Sequence, residues 1–119
     1  MLVVTRHRPD DIASFLAVVR DAFDAMQGRP GFVTARLGRS TDEAGAFLVA
    51  VEWRDAGSYR RSVSPVDVRA RVLPMYNSAL DEPAVYEVAY GMDADATVTE
   101  RASDLAVALD SPDEVGHRE

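Results

Sequence analysis

The side chains best suited to chemistry in this sequence are one histidine, one tryptophan and two tyrosines. His7 is the only imidazole before residue 117, and its ordinary pKa of about 6.5 suits a proton acceptor at neutral pH. Trp53 offers an aromatic face for stacking and an indole N–H donor. Tyr59 and Tyr76 add two phenolic hydroxyls. These four groups are the first candidates for a binding or catalytic site.

Each candidate side chain also has a structural role that fits the sequence. A histidine at the end of a strand is often solvated or locally hydrogen bonded, and Trp53 suits a core that also walls a pocket. Tyrosine rings are often buried while their hydroxyls reach water. Asn77 fits a cap at a helix end, and Arg36 fits an outward charge on an edge strand. The sequence leaves both kinds of role open.

The composition excludes several classes of protein. The chain has 119 residues and no cysteine, so we expect one main domain without disulfides or thiolate metal sites. Two histidines are too few for a multi-histidine metal centre, and a net charge of −7 argues against binding along a nucleic-acid backbone. No apolar run approaches the roughly 20 residues that span a bilayer, or forms a signal peptide. We therefore expect a cytoplasmic protein that binds neither nucleic acid nor membranes.

The acidic residues are concentrated at the C-terminus. Residues 1–90 carry 12 acidic and 11 basic side chains, whereas residues 91–119 carry 8 acidic and 2 basic ones. We predict a domain over residues 1–92 and an acidic C-terminal extension over residues 93–119. Thr97 and Glu100 have the spacing of a capping box, and apolar residues follow at helical spacing up to Leu109. The extension is therefore predicted to hold a short helix, with a disordered tail as the alternative.

Apolar periodicity and turn residues predict the element order β-α-β-β-α-β. The predicted strands are Leu2–His7, Phe32–Arg39, Ala46–Arg54 and Ala84–Met92. The first helix opens at Asp10-Asp11 and ends at Gly28. Asp55 is predicted to cap a short helix, and a further helix begins at Ser64-Pro65, with Pro74 expected to break or kink it. This order predicts an α+β, ferredoxin-like fold, with an antiparallel sheet against helices and strands one and three in the middle.

The central strands are apolar on both faces. In strand three, Phe47, Val49 and Val51 point to one side, while Leu48 and Ala50 point to the other. Helices on one side of the sheet cover only one of these faces. At about 25 cal/mol per Å² of apolar area, leaving the other face in water would cost much of a small domain's stability. We therefore predict a homodimer in which two sheets pack face to face.

Short motifs at the ends of the predicted elements resemble the antibiotic biosynthesis monooxygenase domain family. They are Arg29-Pro30-Gly31-Phe32, Gly38-Arg39-Ser40, Glu52-Trp53-Arg54, Tyr59-Arg60-Arg61 and Asp81-Glu82-Pro83. The resemblance covers about residues 1–92 and implies a dimeric α/β barrel with a cavity between sheet and helices. That family and its relatives include cofactor-free oxygenases of aromatic quinols, haem-degrading enzymes and isomerases, so the fold by itself does not decide the activity.

The resemblance implies a cofactor-independent monooxygenase acting on a hydrophobic aromatic or quinol-type, polyketide-like compound with O₂. In that reading His7 is the base and Trp53 stacks on the substrate, so these two are the predicted catalytic residues. The predicted substrate-binding residues are Thr5, Arg36, Tyr59, Tyr76 and Asn77, and no cofactor or metal is expected.

Two other functions stay open, and a third is disfavoured by the residues. The first alternative is a non-catalytic dimer that binds a small hydrophobic molecule, and the second is an accessory dimer whose acidic tail recruits another protein. Haem degradation is disfavoured, because the resemblance places an axial histidine on the helix that contains residues 67–71. That segment has no histidine to ligate iron.

Overall fold

The structure is a computed structural model that describes residues 1–101. Its elements are β1 (Leu2–His7), α1 (Ile12–Met26), β2 (Phe32–Arg39), β3 (Phe47–Trp53), α2 (Ala56–Val63), α3 (Val66–Tyr76), β4 (Val85–Tyr86), β5 (Tyr90–Met92) and β6 (Val98–Glu100). They fall into two compact units, Met1–Tyr86 and the chain from Glu87 onward. The division comes earlier than the boundary predicted at residue 92. No helix in the described part of the chain is long and apolar enough to cross a membrane.

The first unit has the predicted α+β architecture. Its four-stranded antiparallel sheet has the order β2-β3-β1-β4, so strands one and three lie in the middle as expected. In the central pair Val3 lies opposite Val51, Thr5 opposite Val49, and His7 opposite Phe47. Because strand side chains alternate, these six residues share one face of the sheet. We call it the inner face.

The first two helices start at the predicted aspartates. Asp11 caps α1, its carboxylate accepting a hydrogen bond from the Ser14 backbone N–H at 3.1 Å. Asp55 caps α2 in the same way through the Ser58 N–H at 2.7 Å. Helix α3 starts at Val66, just after the predicted Ser64-Pro65 and without a side-chain cap, and it runs through Pro74 to Tyr76 without a break. Pro74 lies in the last turn of this helix.

The hydrophobic core lies between the inner face and the helices. Val49, Val51 and Trp53 of β3 are at most 1 % exposed. They belong to one cluster with buried residues of α1 and α3, namely Phe15, Val19, Ala22, Ala25, Met26, Val68, Val72 and Met75. The opposite face of the sheet is less covered, since Leu48 is 38 % exposed and Leu2, Val4 and Ala50 are half-buried.

The fourth strand is shorter than predicted. Only Val85 and Tyr86 pair with β1, at Val3 and Leu2 respectively. The predicted strand over Ala84–Met92 is wrong beyond Tyr86. Tyr86 already pairs with Leu2, the first residue of β1, so no further β1 residue is left for the strand to pair with. Residues 90–92 instead form β5 in the second unit.

The described residues of the second unit form a β-hairpin. Tyr90–Met92 pairs with Val98–Glu100, and the loop is closed by the Asp93 N–H donating to the Thr97 carbonyl at 2.8 Å. The Asp95 carboxylate accepts from the Thr97 N–H at 3.0 Å. The helix predicted to start at Val98 is therefore wrong over residues 98–100, where β-branched residues pair as a strand. Its remainder lies outside the described residues.

The turn before β2 packs tightly against α2. Gly31 has φ +83°, a left-handed conformation that favours glycine. A Cβ placed on Gly31 would stand 2.3 Å from the Ser58 Cβ. Two hydrogen bonds join the same segments, from Ser62 Oγ to the Pro30 carbonyl at 2.7 Å and from Arg29 Nε to the Ser62 carbonyl at 3.2 Å. This turn therefore sets the position of α2, the helix that carries Tyr59.

We predict that Gly31→Ala destabilises the fold more than a matched glycine substitution does. Gly45 also has φ +83°, but nothing lies within 4 Å of its virtual Cβ. Gly45→Ala should cost only the backbone strain of about 1–2 kcal/mol, whereas Gly31→Ala should add about 1–3 kcal/mol from overlap with Ser58. Urea unfolding of the two variants measures the difference. Equal losses would show that the Gly31–Ser58 contact does not constrain α2.

Candidate functional site

The most promising site is a cleft of about 350 Å³ between β1, the two short helices and the chain that leads to β4. Val3 and Thr5 of the inner face form its floor on the sheet side, and Tyr59 of α2 and Tyr76 of α3 form its helical side. The remaining lining residues are Ala79, Leu80, Asp81, Glu82 and Ala84. The cleft therefore combines apolar side chains with three hydroxyl-bearing ones and two carboxylates. Apolar walls with a few polar groups are typical of small-molecule sites.

The two cleft tyrosines are held as neutral phenols. Burial raises the pKa of Tyr76 well above its ordinary value, and the neighbouring Tyr59 raises it further. Burial also raises the pKa of Tyr59. Both hydroxyls consequently stay protonated at and above neutral pH. A neutral phenol donates a hydrogen bond, so Tyr59 and Tyr76 are suited to an oxygen atom that carries or develops negative charge.

His7 is buried behind Thr5. The imidazole is 1 % exposed, and both of its nitrogens are within hydrogen-bond distance of hydroxyls: Nε2 is 2.7 Å from Thr5 Oγ1 and Nδ1 is 2.9 Å from Ser78 Oγ. Its ring packs against Phe15 with centroids 4.9 Å apart. Burial lowers the pKa of His7, while a hydrogen bond from the ring to the Ser78 backbone opposes that shift. The imidazole is therefore neutral at pH 7.

The segment after α3 holds Ser78 against β1. Ala79 forms a bridge with His7, and the Leu80 N–H donates to the Arg6 carbonyl at 2.8 Å. The sequence analysis did not identify Ser78, since a serine just beyond a helix end carries no local signal of a partner 71 positions away. Only the packing of this segment on β1 brings it to the imidazole.

His7 also borders a second hollow, of about 290 Å³, at the end of the sheet. Arg6, Arg8 and Arg39 contribute guanidinium groups there. Two of them are already engaged, since Arg6 binds Glu82 at 2.7 Å and Arg8 binds Glu43 at 2.7 Å. These exposed pairs largely neutralise the hollow, so the charge there does not indicate a strong anion site.

Trp53 contributes to the wall between core and cleft. It is 1 % exposed and meets Phe32 and Tyr59 edge to face, with centroids 5.5 and 5.8 Å away. Its indole Nε1 has no hydrogen-bond partner among residues 1–101. A buried donor without an acceptor costs about 1–3 kcal/mol. Trp53 therefore supports Tyr59 and retains one unused donor.

The structure brings together five of the seven residues predicted for the site. Thr5, Tyr59 and Tyr76 line the cleft, while His7 and Trp53 contact Thr5 and Tyr59 respectively from behind.

The two other predicted residues lie elsewhere. Arg36 is exposed and pairs with Ala50, which places it on the face of the sheet opposite Thr5 and His7. Asn77 is exposed at the end of α3, where its N–H donates to the Pro74 carbonyl at 3.2 Å. Neither residue lines the cleft, because strand parity turns Arg36 away and the helix end holds Asn77 outside.

The residues present do not fit a haem or a metal ion. Helix α3 contains no histidine, and the only imidazole in residues 1–101 is His7, which is buried and hydrogen bonded at both nitrogens. Within the same described range, no three acidic or histidine side chains cluster in a way that could hold a metal.

Solved structures share the fold of this chain at low sequence identity. A variant of SnoaB, a cofactor-independent oxygenase from Streptomyces nogalater, matches with a TM-score of 0.58 and 20 % identity, over 66 % of this chain and 82 % of SnoaB. A conserved protein from Methanosarcina mazei Go1 matches with a TM-score of 0.56 and 15 % identity, over 71 % and 84 % of the two chains. A protein from Chloroflexus aurantiacus, assigned to antibiotic biosynthesis monooxygenases, matches with a TM-score of 0.52 and 15 % identity, over 72 % and 92 %. These likenesses establish the fold.

The family assignment comes from the sequence itself. No curated protein matches the chain significantly. The family model described as antibiotic biosynthesis monooxygenase, however, matches residues 1–70. That range covers β1 through α2 and the first part of α3, and so includes Thr5, His7, Trp53 and Tyr59. With its fold matched by members of the same group, this chain belongs to the antibiotic biosynthesis monooxygenase family.

Proposed function

We propose that this protein is a cofactor-independent monooxygenase that oxidises a hydrophobic phenol, enol or quinol-type aromatic compound, such as a polyketide-like anthrone, with O₂. One observation carries the proposal: the apolar cleft holds Thr5, Tyr59 and Tyr76, three neutral hydroxyls with which to bind a polar oxygen on an otherwise apolar ring. Family membership supports the reaction class.

The proposed chemistry needs little from the protein. Loss of the substrate's acidic proton gives an electron-rich phenolate or enolate, which transfers an electron to O₂. Recombination of the two radicals forms a carbon–oxygen bond and a peroxide. For an anthrone-type CH₂ group, loss of water from that peroxide leaves a carbonyl, so one oxygen atom enters the product and the other leaves as water.

The cleft residues divide these tasks. Tyr59 and Tyr76 donate hydrogen bonds to the substrate oxygen and so stabilise its anion, as preorganised donors do for oxyanions in other enzymes. The apolar walls keep bulk water from the radical pair. Trp53 lies behind Tyr59 and fixes the ring that meets the substrate. We assign proton acceptance to His7, which contacts Thr5. The carboxylates of Asp81 and Glu82 also line the cleft, and Glu82 is engaged by Arg6.

The buried state of His7 favours a second candidate function, a binding protein without turnover. An imidazole that is 1 % exposed and bonded at both nitrogens does not meet a ligand directly. The same cleft would then hold a hydrophobic phenol unchanged. Product analysis separates the two functions.

We further propose that the protein forms a homodimer through the face of the sheet opposite the core. Leu48 on that face is 38 % exposed, and Leu2, Val4 and Ala50 beside it are half-buried. A second copy of this face would cover these apolar side chains by a two-fold interface. Face-to-face sheets pack about 10 Å apart, with their side chains interdigitated.

The oxygenase proposal predicts O₂-dependent conversion of an anthrone to its quinone. An oxygen electrode and product absorbance should show one O₂ consumed for each quinone formed. Tyr76→Phe should lower kcat about tenfold or more, because it removes one donor to the developing anion. Tyr86→Phe is the matched control, since the Tyr86 hydroxyl binds the Pro83 carbonyl outside the cleft. Recovery of unaltered anthrone, with thermal stabilisation of the protein, would favour the binding function instead.

The buried imidazole predicts a loss of stability in mild acid. The pKa of folded His7 lies below its unfolded value of about 6.5, so the unfolded chain binds a proton first as the pH falls. The stabilisation is complete above pH ~6.5 and is lost toward the folded pKa, with a slope of at most about 1.4 kcal/mol per pH unit. Urea unfolding between pH 7.5 and 5 should show this slope in the wild type and its reduction in His7→Gln.

A direct titration checks the same point without a His7 substitution. In a His117→Gln background, the imidazole resonances followed by NMR belong to His7 alone. Their midpoint should lie below about pH 6.5. A midpoint at or above that value would contradict the desolvated, neutral imidazole.

The dimer proposal predicts that a charge at Leu48 separates the subunits. Leu48→Glu should weaken self-association at least tenfold, which corresponds to about 1.4 kcal/mol, because the carboxylate would be buried at the interface. Leu73→Glu is the control, since Leu73 is a comparably exposed leucine on α3. Analytical ultracentrifugation measures both. A wild-type protein that stays monomeric at high micromolar concentration would disprove the interface.

A further inference from the structure

A continuous line of hydrogen bonds leads from the cleft into the protein. Thr5 lines the cleft, its hydroxyl lies 2.7 Å from His7 Nε2, and His7 Nδ1 lies 2.9 Å from Ser78 Oγ. Thr5 is 5 % exposed and His7 1 % exposed. The imidazole therefore communicates with a ligand in the cleft through the hydroxyl in front of it.

We propose that Thr5, His7 and Ser78 form a proton relay, in which Thr5 is the catalytic residue that contacts the substrate hydroxyl and His7 receives the proton through it. Ser78 is a positioning residue that selects the tautomer of His7. This inference deepens the proposed function, because it rests on the cleft being the substrate site.

The relay requires one arrangement of protons. The Nδ1–H of His7 donates to Ser78 Oγ, which leaves the Nε2 lone pair to accept the Thr5 hydroxyl. When the substrate O–H transfers its proton to Thr5 Oγ1, the proton of Thr5 moves to Nε2. The products are the substrate anion, an unchanged neutral threonine and an imidazolium. The second transfer runs along the 2.7 Å contact between Thr5 Oγ1 and His7 Nε2, so neither side chain has to move far.

In the described chain, the polar contacts of the His7 ring are these two hydroxyls and the Ser78 backbone. Phe15 of α1 packs on the ring, and Phe47 of β3 lies opposite it in the sheet. Arg6 and Arg8 flank it along the strand, but both are exposed and paired with Glu82 and Glu43. No charged neighbour contributes to the lowered pKa of His7, whose main cause is burial. At neutral pH, a substrate anion held beside Thr5 would therefore stabilise the imidazolium.

This coupling has a consequence for the reaction. A base whose protonation is disfavoured by burial returns its proton readily once the substrate charge is gone. The imidazolium and the substrate anion stabilise each other across Thr5 until an electron leaves for O₂. The proton then remains available for the peroxide as it releases water.

The tautomer of His7 tests the relay without any ligand. In ¹⁵N-labelled protein carrying His117→Gln, the ring nitrogen shifts at pH 7.5 should show a protonated Nδ1 and an unprotonated Nε2. The Nε2–H tautomer would overturn the proposal, because that nitrogen could not then accept a proton from Thr5. Ser78→Ala should shift the population toward Nε2–H, since Nδ1–H loses its acceptor.

Substitutions at Thr5 test the relay during turnover. With the anthrone substrate, Thr5→Val should lower kcat at least tenfold and abolish the part of the pH–rate profile that follows His7, although His7 remains in place. Thr5→Ser keeps the hydroxyl and should retain kcat within about threefold, with the pH profile unchanged. A purely structural threonine would give a similar loss in both variants, or a Thr5→Val enzyme that keeps the wild-type profile. Either result would refute the relay.

Failure of the relay can be told apart from failure of the oxygenase function. If anthrone is bound but not oxidised, the oxygenase function is wrong, and the tautomer measurement still decides the hydrogen-bond order. If anthrone is oxidised at the wild-type rate by Thr5→Val, the function holds and the relay is wrong.

Discussion

The structure depends on the burial of one face of a small antiparallel sheet. Val3, Thr5 and His7 of β1 alternate with Leu2, Val4 and Arg6, and the helices cover only the first set. The covered face supplies the core, with Val49 and Val51 fully buried. It also supplies the floor of the cleft, at Val3 and Thr5. Core packing and the candidate site are therefore two parts of one surface.

Burial changes the chemistry of the polar groups on and above this face. Desolvation lowers the pKa of His7 and raises that of Tyr59 and Tyr76, so all three favour their neutral forms. A set of neutral donors and one neutral acceptor is suited to holding an aromatic hydroxyl and accepting its proton. It is poorly suited to binding a permanently charged ligand. Of the two carboxylates that line the cleft, that of Glu82 is paired with Arg6.

Local contacts position the helices above the inner face. Asp55 caps α2, and Ser58 on the same helix fills the space that Gly31 leaves open. These contacts fix Tyr59 relative to Trp53, whose rings meet edge to face. The segment after α3 is tied to β1 through Leu80 and Arg6, which carries Ser78 to the imidazole. A change in either connection would therefore alter the cleft.

Much of the fold and of the candidate site could be predicted from the sequence, because strand alternation and helix starts depend on neighbouring residues. Alternation in β1 and β3 indicated which side chains share a face, the aspartates at residues 11 and 55 indicated where helices start, and parity placed Thr5, His7 and Trp53 on the same side. Tertiary structure decided the rest. The length of β4 depends on where β1, its pairing partner, begins. The hairpin over residues 90–100 forms because strand pairing outweighs a local capping pattern. Ser78 reaches His7 only because distant segments pack together. Local pattern determines the direction of a side chain, but its partners and its pKa are set by whatever the folded chain places around it.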